Sequence, residues 1–363
     1  MAFQLRSLMV VATSGGGMLQ GFAHESLAQN VLSVRPKDTD SEWSQWAAQE
    51  LTKFYRSIEH REFTSRDGKE IHYGLCRPEN PRGWVVISPG RVESYIKYQE
   101  VALEFVAEGY AVAMIDHRGQ GHSARLTANQ QQGHVGRFLD YAEDFAEWLA
   151  LLKAEFADKP VYLLAHSMGG AISMTYLQQV AGRHGYPPSP FQKAALSAPM
   201  MGINTAPWPL WLAKPMTRSL AALNQFLSPK RHWYAPGTGD YQKEAFAVNR
   251  LTHSEARYDW FSQMYQDLPA IKVGGPTNHW VAEGVQAAEQ VVQLAERVDI
   301  PVLLLQGDQD IIVAAEPQQR FVDKLAHPAS RLEPIAGAKH EILMETDAIR
   351  TPAFTLIQRF FSS

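Results

Sequence analysis

Apolar positions fall along this chain in two alternating kinds of run. Trp84–Ile87, Ala111–Ile115, Val161–Leu164 and Lys193–Ser197 are short and mostly continuous apolar stretches, the pattern of strands buried on both faces. Between them, in Tyr95–Glu108, Phe138–Leu152 and Met168–Val180, apolar residues recur at helical spacing; in the second they stand at 138, 141, 145, 148 and 152. Strand and helix alternating in this way predict a mostly parallel sheet with helices on both faces. The rhythm stops after Ala198-Pro199. It resumes with a strand at Ile300–Leu305, a helix at Ala314–Ala326, a strand at Leu332–Ile335 and a helix at Asp347–Phe361. Upstream, Trp43, Trp46, Leu51 and Phe54 predict a helix over 42–60, and EFTSRDGKEIHYGLC reads as a hairpin turning at Arg66-Asp67-Gly68. The interruption is rich in tryptophan, proline and glycine, as in TAPWPLWLAKP and KVGGPTNHW. The expected organisation is therefore an N-terminal tail of unknown role (1–40), a first part of an α/β core (41–199), an inserted and mainly helical cap (200–298), and the last part of the core (299–363).

Composition narrows the field without choosing within it. With 363 residues, 45% of them apolar and 20% charged, the chain can bury a large core unaided. The single cysteine, Cys76, excludes an intrachain disulfide and any multi-thiolate metal site. A net charge of −4 without a long basic run gives no reason to expect nucleic acid as a partner. No stretch approaches the run of about 18 apolar residues that a spanning helix needs. The apolar run Leu8–Ala12 is short for a secretion-signal core of roughly 7–15 residues. Secretion is therefore not expected, and this N-terminal segment, MAFQLRSLMVVATSGGGMLQ, is expected to form a disordered tail.

The chemistry concentrates in YLLAHSMGGAIS, residues 162–173. An apolar strand passes directly into His166-Ser167-Met168-Gly169-Gly170 and then into a helix. A small residue, any residue, serine, any residue and glycine between strand and helix make a nucleophile elbow, whose flanking residues are small because the turn forces two backbones together. Ala165 stands at the first position where glycine is usual. A serine hydroxyl needs a base, and the base an orienting carboxylate; on such a sheet they follow in the order Ser, Asp or Glu, His. After the strand PVLLLQG comes Asp308-Gln309-Asp310, and after RLEPI comes a Gly-containing loop ending in His340. Asp310 is the expected acid, because Asp308 follows the glycine turn directly and can cap the loop instead. For the oxyanion, the expected donors are the backbone N–H groups of Met168, at the start of a helix, and of Arg91 in Pro89-Gly90-Arg91, since proline has no N–H. Asp116 and Arg118 in DHRGQGHS are expected to be structural. His134, His232, His253 and His279 show no metal-ligand spacing, and neither a metal nor a cofactor is expected.

Taken together, SPGRVESYIKYQEVA, IDHRGQGHS, AHSMGGAIS, NRLTHSEARY, IKVGGPTNHW and GAKHEILME resemble the bacterial inner-membrane lysophospholipases, within the monoacylglycerol-lipase-like group of serine α/β-hydrolases. The resemblance runs from about residue 40 to the end and includes the insert. It implies an α/β-hydrolase fold with a cap, Ser167, Asp310 and His340 at the triad positions, and a single-chain lipid ester as substrate, most specifically a lysophospholipid. A monoacylglycerol lipase or general carboxylesterase with the same triad is the alternative, and a non-catalytic binding protein the more distant one. It also implies a cytoplasmic or peripherally membrane-attached protein. The insert carries Trp208, Leu210, Trp211, Leu212, Phe226, Leu227, Trp233 and Trp260, suited to an acyl chain or a bilayer interface, with APWPLWLAKP as the expected lipid-facing lip. Arg250, Arg257 and Lys272 are the candidates among the basic cap residues for a headgroup phosphate, and the sequence does not choose between them.

Overall fold

The computed structural model describes residues 21–39, 41–204, 210–228 and 231–363. Eight strands form one sheet in the order β1-β2-β4-β3-β5-β6-β7-β8. They are β1 (Glu59–Thr64), β2 (Glu70–Cys76), β3 (Trp84–Ser88), β4 (Ala111–Ile115), β5 (Val161–His166), β6 (Phe191–Ser197), β7 (Val302–Gly307) and β8 (Arg331–Ile335). The β1–β2 hairpin is antiparallel and joins β4 antiparallel, and every pairing from β4 through β8 is parallel. β3, β4 and β5 are buried at every position, which is why they read as continuous apolar runs. Phe105 of the Gln99–Ala107 helix packs on Phe354 and Phe361 of the Asp347–Ser362 helix, while Phe145 of the Phe138–Leu151 helix packs on Tyr176 and Phe191. Phe361 in turn stacks on Tyr162 of β5, and Phe191 belongs to β6, so both groups of helices meet the sheet through aromatic side chains.

Three expected elements differ in detail. The first helical segment ends at Ser57, because Ile58 turns extended and leads into β1. The Tyr95–Glu108 helix opens as a tighter turn, Tyr95–Tyr98, and the one beginning at Met168 widens over Tyr176–Val180.

A larger correction concerns the N-terminal tail. Gly21–Ser33 is a helix packed against the Gln99–Ala107 helix, with Ala28 and Val31 fully or almost fully buried. Leu27, Ala28, Val31 and Leu32 give it an apolar stripe at helical spacing. Beyond it, Arg35 pairs with Glu100 and Glu104, and the Asp38 amide donates to the Asp347 carboxylate. Residues 21–39 are therefore folded onto the body. Residues 1–20, which include the run weighed as a secretion signal, lie outside the described residues.

Between β6 and β7 the chain forms helices Leu210–Leu227, Glu255–Asp267 and Asn278–Gln293. The last packs on both the first and the Met168–Thr175 helix; Glu255–Asp267 packs beside Trp43–Trp46. Trp260 and Phe261 are packed into the core. Residues 205–209, including Trp208, and the side chains of 210–214 lie outside the described residues, so the expected lip is only partly in view. Among the described residues no helix is long and apolar enough to cross a membrane.

Candidate active site

β5 ends at His166, and Ser167 takes φ 49° and ψ −118°, a left-handed conformation that costs a non-glycine residue energy. The neighbours explain why the turn is so tight. A Cβ on Gly169 would lie 2.1 Å from the Ser88 carbonyl oxygen, and one on Gly170 would lie 2.7 Å from Pro199 Cβ. The helix after Ser167 thus presses against the ends of β3 and β6, and only glycine fits at either point. Ala165 is wholly buried and pairs with Ser88 and Leu196 on either side.

The structure brings Ser167, His340 and Asp310 into one chain of hydrogen bonds. His340 Nε2 is 2.9 Å from Ser167 Oγ, and His340 Nδ1 is 2.7 Å from Asp310 Oδ2. The remaining Asp310 oxygen accepts from the amides of Ile312 and Val313. Burial alone would raise the Asp310 carboxyl; the His340 contact and these two amides outweigh it and hold the carboxyl below its ordinary value. Asp308 lies apart from this chain: it is exposed and accepts from the Gly337 amide at 2.7 Å. A Cβ on Gly307 would meet the Ala338 carbonyl at 2.6 Å, so the loops carrying Asp310 and His340 touch at that glycine.

The loop after β3 runs beside the serine. A Cβ on Gly90 would stand 3.2 Å from Ser167 Cβ and 2.9 Å from His166 Cδ2. The loop is held from several sides. The Gly90 amide donates to Glu93 at 2.6 Å, the Gly90 carbonyl accepts from Gln120 Nε2, the Val92 amide donates to Gln120 Oε1, and Tyr265 Oη donates to the Val92 carbonyl. The amides of Arg91 and Met168 donate to no protein acceptor among the described residues. Two N–H groups therefore remain free where the loop and the helix start meet the serine, an arrangement suited to an oxyanion.

Beneath lies a buried ion group. Lys97 Nζ bonds Glu93 at 2.8 Å and Glu341 at 2.5 Å, and Tyr98 Oη donates to Glu93 at 2.7 Å. Burial would raise Glu93, but the Lys97 ammonium and the nearby His166 hold its carboxyl well below the usual carboxylate range. This group ties the Gly90 loop to the residue after His340. Sequence reasoning misses it, although the opposite charges of Glu93 and Lys97, four residues apart across the start of the Tyr95–Tyr98 turn, were a visible signal. Gln120 had no such signal.

Other singled-out residues lie around this centre. Asp116 accepts from Ser94 Oγ and from the Tyr95 and His122 amides, and burial raises its carboxyl to about 6. Arg118 bonds Asp144 and Asp67. The His134 ring centre lies 3.9 Å from that of His232, the rings tilted by 33°, and 5.4 Å from that of His279, while His253 bonds Glu345. Among the described residues, Glu62, Glu70 and His72 could jointly reach a metal ion, but both glutamates are exposed and His72 is already bonded to Glu70. Of the three basic candidates for a headgroup phosphate, Arg257 is consumed by Glu100 and Asp347, which removes it from that role. Arg250 is exposed, and Lys272 bonds Gln266.

Known proteins share this chain and this architecture. The profile of the family described as serine aminopeptidase, S33, matches residues 79–347. The chain is 42% identical over 320 residues to lysophospholipase L2 of Escherichia coli (strain K12), covering 86% of this chain and 90% of that protein. It is 31% identical over 322 residues to a probable lysophospholipase L2 of Haemophilus influenzae, covering 88% and 96%. Among solved structures, a soluble variant of monoglyceride lipase from Saccharomyces cerevisiae, in complex with a substrate analog, superposes with a TM-score of 0.64 at 20% identity over 84% of this chain and 94% of that one, a likeness of fold alone. The eight-stranded, mostly parallel sheet, the strand–serine–helix turn and these matches agree: the chain belongs to the serine aminopeptidase S33 family of α/β-hydrolases and, within it, groups with the lysophospholipase L2 proteins.

Proposed function

We propose that this protein is a serine hydrolase that cleaves the acyl ester of a lysophospholipid to a free fatty acid and a glycerophosphodiester. The observation that carries the chemistry is the Ser167–His340–Asp310 chain beside two free amides. The substrate class rests on the 42% identity to lysophospholipase L2. His340 Nε2 takes the Ser167 proton as Oγ attacks the ester carbonyl carbon, and the Arg91 and Met168 amides hold the resulting oxyanion. The imidazolium, steadied by the Asp310 charge, then protonates the departing glycerol oxygen and leaves an acyl-enzyme. Water attacks the acyl carbon and gives His340 a proton; collapse releases the fatty acid and returns that proton to Ser167. The steps use these side chains, two amides and water. Fatty-acid release from lysophosphatidylethanolamine, lysophosphatidylcholine and monoacylglycerol, compared side by side, tests the substrate. Preference for the lysophospholipids is expected; preference for monoacylglycerol would replace the substrate and keep the mechanism.

Asp310 and Asp308 provide an internal comparison. Asp310→Asn is expected to lower kcat by about 10³–10⁴-fold, since an amide cannot hold the imidazole in the same tautomer or offset its charge. Asp308→Asn is expected to change kcat by less than about threefold, because that carboxylate only accepts from a loop amide. The reverse ranking would move the acid role to Asp308.

Peripheral membrane contact belongs to the same proposal. Met216, Leu223, Phe226 and Leu227 lie exposed on the Leu210–Leu227 helix, with Phe226 84% accessible, and their spacing puts them on one side of it. Single exposed apolar residues are ordinary, but a helical row of them fits an interface. Co-sedimentation of the full chain with phospholipid vesicles is expected to fall about tenfold or more in Phe226→Asp/Leu227→Asp. Undiminished binding would take this helix out of the membrane contact.

A further inference from the structure

Arg91 is partly buried, and it differs from the arginines fully buried in this chain. Arg118, Arg257 and Arg350 each pair with carboxylates. Arg91 has none among the described residues. Its Nη1 donates to the Gly274 carbonyl at 2.9 Å, and its guanidinium carbon lies 5.6 Å from the centre of the Trp280 ring. Nε and Nη2 donate to no protein acceptor among the described residues. Glu93, two residues along the same loop, is already taken by Lys97 and Tyr98. Burial lowers the group to about 10, so it remains charged at neutral pH. A partly buried cation without a counter-ion favours any anion that arrives.

Its place supplies the rest. Gly90 stands against Ser167, and Arg91 is the next residue, so its side chain starts at the rim of the scissile centre. In a lysophospholipid the phosphorus lies one short glycerol arm from the ester carbonyl. Arginine presents a planar fork of donors that matches phosphate oxygens, and one face of this fork is already fixed by Gly274 and Trp280.

We propose that the Arg91 guanidinium binds the phosphate of the headgroup while the amide of the same residue faces the ester oxyanion. The inference rests on the lysophospholipase reading and says where the discrimination against neutral lipid esters is made. Arg91 is then a specificity-determining residue, which the sequence reading had placed in the site through its backbone alone.

The test uses the full chain as wild type, Arg91→Met and Arg91→Lys, with fluorophosphonate labelling to count competent protein. kcat/KM is measured on lysophosphatidylethanolamine and on monoacylglycerol of equal acyl length. Separately, glycerophosphoethanolamine and inorganic phosphate are titrated as inhibitors of p-nitrophenyl butyrate hydrolysis. In Arg91→Met the preference for the phospholipid over the neutral lipid is expected to fall about tenfold or more, with a similar rise in Ki for glycerophosphoethanolamine. Lysine is expected to restore part of both, as a point charge without the fork. Damage to the loop amide affects both esters and cancels in the ratio. An unchanged ratio and Ki in a wild type that does prefer lysophospholipids would overturn the Arg91 site and leave the reading standing. Arg91-dependent inhibition in a wild type that hydrolyses only neutral esters would overturn the reading and leave an anion site. Inorganic phosphate inhibiting as well as glycerophosphoethanolamine, through Arg91, would overturn the headgroup assignment in favour of free phosphate.

Discussion

Ser167→Ala is expected to lower turnover of every ester substrate by about 10⁶-fold and to abolish fluorophosphonate labelling. The side chain removed is the one whose Oγ lies 2.9 Å from His340 Nε2, and no other hydroxyl in the described structure has that partner. Stability should hardly change. Alanine meets the same positive φ that serine already tolerates, the volume lost is one oxygen, and the Asp310–His340 bond remains. Turnover and thermal unfolding measured on the same preparation separate the two effects. Retained activity with an unchanged melting temperature would remove Ser167 from the mechanism; a large loss of stability would mean that the hydroxyl has a packing role.

The second large effect is on folding. Arg257 is 1% exposed, donates to both Glu100 oxygens at 2.8 and 2.9 Å and to Asp347 at 2.6 Å, and bonds the Glu345 carbonyl. It also lies 3.3 Å from Asp38 and over the Trp43 ring. One side chain thus joins the N-terminal segment, the Glu255–Asp267 helix and the C-terminal helix. Arg257→Met leaves Glu100 buried with only part of its counter-charge, a change expected to cost about 3–5 kcal/mol. The pH dependence follows. In the wild type burial would raise Glu100, but Arg257 holds it well below the usual carboxylate value. Its contribution is then fully present above the unfolded glutamate value, about 4.3, and is lost as pH falls towards the folded value. Without Arg257 the carboxyl rises and ionising it works against folding. The gap between wild type and variant should therefore widen from pH 4 to pH 7 in urea unfolding. A gap that does not change with pH would make Arg257 a packing residue rather than a charge partner.

Much of the fold was legible because its strands are short apolar runs and its helices repeat at their own period. Both are local properties, written in consecutive residues. The tight turn at Ser167 was legible for the same reason: Ala165, Gly169 and Gly170 are small next to a serine, and small residues are what two backbones in contact require. The helix Gly21–Ser33 was harder to read, since it carries its apolar stripe in a mostly polar segment and is held by distant partners.

By itself, then, the sequence determined the alternation of strand and helix, the elbow, and the order of serine, acid and histidine at strand ends. Covalent order and periodicity carry that information. Only the tertiary structure decided that Asp310 rather than Asp308 meets His340, and that Lys97 links Glu93 to a residue 244 positions away. It also decided that Arg257 is consumed by Glu100 across 157 positions, while Arg91 has no carboxylate. A charge is compensated by whatever the folded chain brings within a few ångströms of it. Spacing along the chain does not encode that distance.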